Sequence, residues 1–221
     1  DDHSGGGMKI GRAAIAGLCL VVGAFGLAAV EPVPLSPDAP AQGNAAPADP
    51  PPGQLLIASA QMQDPRFYHA VILILQHNQD GAFGIVINHP LASETIASLL
   101  AAAGDDDKTV DGTIPVLSGG PVQQGLGFVV HSADYRIAET LAVDGKVAMT
   151  ASKEALKDIG HHKGPKKCFF AFGYAGWGAG QLEGEIARKD WFTAPEDDAL
   201  VFDEDRGAVW DKALARRGTD L

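Results

Sequence analysis

Cysteine is scarce in this chain, with only Cys19 and Cys168 among 221 residues. Cys19 lies in an apolar N-terminal run and Cys168 in the body, so an intradomain disulfide framework is excluded as the source of stability. Positive charge is also short. Seventeen Lys and Arg stand against 28 Asp and Glu, a formal net charge of −11. Five acids and two bases precede Gly53, which leaves −8 on the remainder. A body of that sign disfavours non-specific nucleic-acid binding, which depends on cationic side chains neutralising phosphates. The best basic clusters are Lys163, Lys166 and Lys167 in a loop, and the short Arg216-Arg217 pair. Neither makes a recognition helix, so direct DNA binding is not expected. Catalytic signatures are missing too: no HExxH, no CxxC, no Gly-Lys-Ser/Thr phosphate loop and no nucleophile-elbow serine. No cofactor and no metal site is expected from these residues.

Apolar residues, by contrast, make up 46% of the chain, enough for a core of its size. They are unevenly spread. Residues 1–7, "DDHSGGG", read as an expression remnant ahead of Met8. Lys9 and Arg12 then precede an uncharged run from Ala13 to Val30. Residues 8–30 therefore read as a signal peptide or membrane anchor, and the expected location is the cell envelope, exported or membrane-anchored. A misassigned start codon in a cytoplasmic protein is the alternative. Residues 31–52 hold eight prolines and no periodic apolar face, so they read as a semi-extended linker. The folded body is residues 53–221.

Within the body, "QLLIAS" and "AVILILQH" read as buried strands, and "AFGIVIN" as the hairpin partner of the second across "NQDG". "SETIASLLAAAG" predicts a helix with Ser93 as N-cap and Gly104 just past its end. "IPVLSGGPV" and "GFVVHS" predict two strands, "ETLAVDGKVAMT" a hairpin, and "SKEALKDIGHH" a helix capped by Ser152. "KCFFAFGYAGW" reads as a buried strand running directly into the Gly-rich stretch "GYAGWGAGQLEGEI", with a helix following over about 180–188. "ALVF" reads as a late strand and "GAVWDKALARR" as a C-terminal helix. Hairpins mixed with isolated helices indicate a single α+β domain with a mixed or antiparallel sheet.

Three ordered blocks carry a family resemblance. The first, residues 53–90, contains Asp64-Pro65, His77, Gly81-Ala82, Gly84 and Asn88-x-Pro90. The second is "GGPVQQGLGFVVHS", with Gly119, Gly120, Pro121, Gly127, Phe128 and His131. The third runs from Gly173 to Trp191. With these blocks the body resembles the AlgH/YqgE family of small bacterial proteins from Gly53 to about Leu214. Gln76 stands where the family more often has an acid, and Lys189 where it often has Asn. The apolar N-terminus is also unusual for it. The resemblance implies an α+β fold round a strongly curved, barrel-like mixed sheet with flanking helices. It carries no established catalytic residues, and members are commonly labelled transcriptional regulators.

The Gly-rich stretch can be weighed physically. A helix N-terminus attracts anions, but Glu183 and Glu185 fall in or near the first turn and would repel a phosphate. The glycines are better read as a structural corner packed by Tyr174 and Trp177. Gln181, Glu185 and Arg188 share one helix face beside that of Leu182 and Ile186. Asn88, His131 and Glu183, polar groups at strand or turn edges, are the candidate site residues. Mutually bonded in a pocket, they would mark an enzyme of unidentified reaction. Without that cluster the expectation is a regulatory module for an unknown small ligand or protein. His69, His77 and His89 flank strands and read as structural. Cys168 reads as a buried strand cysteine, despite the neighbouring Lys166 and Lys167.

Overall fold

The first strand, β1 (Gln54–Ala58), explains why the body's apolar runs are continuous. Leu55 and Ile57 enter one core cluster, while Leu56 and Ala58 enter another. β2 (Val71–Asn78) repeats the pattern, with Val71, Leu73 and Leu75 on one side and Ile72 and Ile74 on the other. A sheet covered on both faces needs apolar side chains at every position, not at alternate ones. The computed structural model describes residues 50–217. The remnant, the apolar segment and the linker up to residue 49 lie outside the described residues. The end of the linker does not stand apart from the body: Pro50 is buried, and its carbonyl accepts from His77 Nδ1 at 2.9 Å. Among the described residues no helix is long and apolar enough to cross a membrane.

The other elements are β3 (Gly81–Val86), β4 (Pro90–Thr95), α1 (Ile96–Ala102), β5 (Thr113–Ser118), β6 (Val122–Ser132), β7 (Thr140–Ala142) and β8 (Val147–Thr150). They are followed by α2 (Lys153–Gly160), β9 (Cys168–Gly178), α3 (Gln181–Ala187), β10 (Trp191–Pro195), α4 (Asp198–Val201) and α5 (Val209–Leu214). The sheet runs β10-β1-β2-β3-β9-β6-β8-β7, with β5 also pairing β9 and β4 pairing β5. Among the described strand pairs only β5–β9 is parallel. The result is the expected α+β domain on a curled, half-barrel mixed sheet. Helices α4 and α5 cover one face through Leu200, Val201, Val209 and Ala213. Leu182 of α3 joins Trp177 and Trp191 on the other. Helices α1 and α2 pack over Val116, Val129 and Phe170.

Three expectations need correction. The first helix starts at Ile96 with Thr95 as N-cap, its hydroxyl accepting from Ser98 N at 3.1 Å. Ser93 is instead paired with Pro115 in the β4–β5 ladder. "ALVF" lies largely in a short helix, because Asp197 caps it by accepting from Ala199 N at 2.9 Å. The late strand is β10, which adds to the edge of β1.

The third correction concerns the Gly-rich corner. Strand β9 runs to Gly178, in line with the expected strand "KCFFAFGYAGW", so the first glycines of the stretch lie within a strand and do not form a corner. Up to Phe172 it pairs with β5, and from Ala175 it pairs with β3. The change of partner falls at Gly173, which has φ +71°. A Cβ there would run into the carbonyls of Gly120 and Val122. The glycine thus bends a strand that passes between partners, and the reversal comes later, at Gly180.

Candidate functional site

Helix α3 places Gln181 and Glu185 one turn apart on the face next to Leu182. β9 and β10 bring the buried Trp177 and Trp191 against it, their rings edge-on with centroids 6.0 Å apart. Both indoles donate to the same carboxylate oxygen: Trp177 Nε1 and Trp191 Nε1 each lie 2.8 Å from Glu185 Oε2. Gln181 Nε2 donates to the other oxygen, Oε1, at 2.9 Å. The Gln181 carbonyl in turn accepts from Gly178 N at 3.1 Å, which fixes the orientation of the amide. These groups line a cleft of about 760 Å³, bounded by the Met62–Phe67 segment, Pro121 and Val122, and the exposed side of α3.

Two ion pairs also line the cleft. Arg66 Nε donates to both oxygens of Asp64, at 2.9 and 3.1 Å, and the guanidinium holds the Asp64 carboxyl below its ordinary range. Arg188 pairs with Asp190 at 3.0 Å. Both arginine side chains are more than 60% exposed, so these pairs add little to stability. Glu185 has no cationic partner among the described residues.

The three candidates from the sequence have separate partners, and none bonds to another. Asn88 is buried and bridges two backbone groups, accepting from Val71 N and donating to His69 O, each at 2.8 Å. His131 is fully buried. Its Nδ1 donates to Ser132 O at 2.9 Å, and its Nε2 accepts from the Thr150 hydroxyl at 2.9 Å. Burial holds the His131 pKa below the usual imidazole value, which suits that neutral tautomer. Glu183 pairs instead with His77: Nε2 lies 2.7 Å from Oε1. The backbone N–H of Glu183 itself and the His77 ring hold this carboxyl below its ordinary range. The pair borders a smaller recess of about 380 Å³ with Asn78, Gln79 and Gly180. Both ring nitrogens of His77 are engaged, by Pro50 O and by Glu183, as a structural histidine requires.

Elsewhere, burial pushes the Cys168 thiol up to about 11, the opposite of what Lys166 and Lys167 would do to it. Burial and then the neighbouring Asp144 carboxylate push Glu196 up to about 7. Its side chain is 5% exposed, and only Lys146, at 3.7 Å, opposes the shift as an ion-pair partner. The folded state therefore keeps a proton that the unfolded chain releases above its ordinary value near 4.5. This contribution is complete below pH 4.5 and lost as pH rises through about 7. Glu196→Gln should therefore stabilise the protein at pH 8 by about 1–2 kcal/mol, allowing for solvent screening on the Lys146 side. The gain should vanish near pH 4.5. Urea denaturation of both proteins at the two pH values checks this, and an equal difference at both would refute it.

The groups that line the cleft were visible in part. The sequence gives Gln181, Glu185 and Arg188 a common face, but not what that face meets. Asp64, Pro121 and Trp177 come from three separate blocks and meet only in the folded sheet.

Fold and cleft together define a single-domain α+β half-barrel with a cleft walled by helix α3. The profile of the AlgH-like family matches residues 55–221, and the chain belongs to that family. A UPF0301 protein of Jannaschia sp. is 44% identical over 170 residues, covering 76% of this chain and 88% of the relative. One from Cereibacter sphaeroides is 41% identical over 169 residues, covering 76% and 92%. The solution structure of the AlgH protein from Pseudomonas aeruginosa superposes with a TM-score of 0.64 at 35% identity, over 79% of this chain and 92% of that one. A crystal structure of a Corynebacterium diphtheriae protein, at 22% identity and a TM-score of 0.61, shares the fold over 78% and 90%.

Proposed function

We propose that this protein is a regulatory binding module whose ligand sits in the cleft between α3 and the Met62–Phe67 segment. One observation carries the reading. The polar groups at Trp177, Gln181, Glu185 and Trp191 are locked by mutual hydrogen bonds beside open volume. Such pre-organisation lowers the ordering cost of binding. A volume of this size accommodates a small molecule. Among the described residues no serine, cysteine or histidine lines it. Any regulatory role is exerted through that ligand or a partner protein, not through direct contact with duplex DNA. The proposal includes export or membrane attachment through the run Ala13–Val30.

An enzyme reading retains one foothold, the His77–Glu183 pair beside the smaller recess. Its ring nitrogens are both occupied, so general-base action would require one of these bonds to break. A fragment screen against the ¹⁵N-labelled full chain tests the binding reading. The indole N–H signals of Trp177 and Trp191 should shift together, while that of Trp210, bonded to Ala58 O, stays still. Fragments that move only signals of the His77 recess would overturn the reading in favour of the second.

A further inference from the structure

We propose that the cleft takes an organic cation bearing an N–H donor, an alkylammonium or alkylguanidinium. This rests on the binding reading above and adds the chemical class of the ligand.

Three carboxylates and two guanidinium groups line the cleft. Asp64 with Arg66 and Asp190 with Arg188 cancel as pairs. The remaining charge is that of Glu185. Its three partners, two indoles and an amide, are neutral donors. They fill lone pairs but add no positive charge, so the cleft keeps a net charge of −1, carried by Glu185.

Acceptor capacity is left over on one oxygen only. Oε2 already takes two N–H groups, whereas Oε1 takes one, from Gln181. A carboxylate oxygen has room for two such donors. A ligand N–H can complete Oε1, and a positive charge on that ligand balances the ledger. Phe67, whose ring already carries the Arg66 guanidinium at 5.8 Å, supplies an apolar edge for an alkyl chain, while the buried Trp177 and Trp191 act through their N–H groups on Glu185. An anionic ligand would have to approach the unbalanced carboxylate with both arginines already engaged.

The test uses the ¹⁵N-labelled full chain and three probes of similar shape: n-butylammonium, n-butylguanidinium and the neutral n-butylurea. Both cations should shift the Trp177 and Trp191 indole signals, with n-butylurea at least about tenfold weaker. Glu185→Gln should weaken the cations by about tenfold or more and leave n-butylurea nearly unchanged. Arg188→Ala, which removes a positive charge from the exposed rim, should tighten the cations by about two- to fivefold at low salt. Equal affinity for n-butylurea and the cations would overturn the cation inference and leave the binding reading standing. So would fragments that shift both indoles when neither cation does. Silence of both indoles to every probe and fragment overturns both. If Glu185→Gln does not fold, Arg188→Ala decides: unchanged or weaker cation binding overturns the proposal.

Discussion

Replacing Trp177 by alanine should destabilise the protein by about 3–5 kcal/mol, the usual range for deleting a buried large aromatic side chain. Trp177 is buried opposite Ala82 in the β3–β9 ladder and packs edge-on against Trp191. It belongs to the core set that includes Leu182 of α3, so the cavity would open where that helix is anchored. The substitution also removes one of three donors to Glu185. Trp177→Phe separates the two effects, since it keeps much of the apolar volume and loses the indole N–H. That variant should cost about 1–3 kcal/mol, mostly from the carboxylate left short of a partner. Urea denaturation followed by far-UV circular dichroism measures both. A loss below about 1 kcal/mol for the alanine variant would show that this face of the sheet does not depend on the ring.

Asn88→Ala should cost about 2–4 kcal/mol without affecting the cleft, because it orphans two buried backbone groups at once. One is the Val71 N–H at the start of β2, the other the His69 carbonyl. His69 has φ +51°, a conformation rare outside glycine, and the Asn88 amide is one of the bonds that hold it there. The His69 ring also stacks between Tyr68 and Trp210 with centroids 4.0 and 3.8 Å away, so the loop should loosen as a unit. Hydrogen exchange at Val71 should accelerate by at least about tenfold. The Trp177 and Trp191 indole signals should keep their positions. If instead those signals move and stability holds, Asn88 belongs to the ligand site after all.

What the sequence conveyed follows from how local each signal is. β1, β2 and β3 were legible because burial on both faces leaves unbroken apolar runs, closed by the Asn78–Gly81 turn. The Ser152 cap was legible because its hydroxyl has no rival role. Ser93 misled because it is a good cap residue that the β4–β5 pairing claims first. "ALVF" misled because four apolar residues fit a strand or a helical turn equally well, and the Asp197 cap decides it. The site was less legible for a further reason. Asn88, His131 and Glu183 look alike in sequence as polar residues at element edges. Their roles depend on partners 17, 19 and 106 residues away. Glu183 finds a histidine, but it is His77, and Glu185 two positions on is the residue the tryptophans hold.

The bend at Gly173 also bears on how the chain is made. β9 lies between β3 and β6 and receives β5 as well, so it closes the centre of the sheet. On the ribosome, β3, β5 and β6 emerge well before residue 168. Until β9 follows, each of them has an edge waiting for a strand not yet synthesised. Unpaired edges with buried-type side chains invite pairing with other chains. The half-barrel cannot close piece by piece from its N-terminus. The nascent chain has to stay unaggregated until Gly178 clears the exit tunnel, so slowed elongation at any point between the emergence of β6 and that of β9 should lower the yield of folded protein.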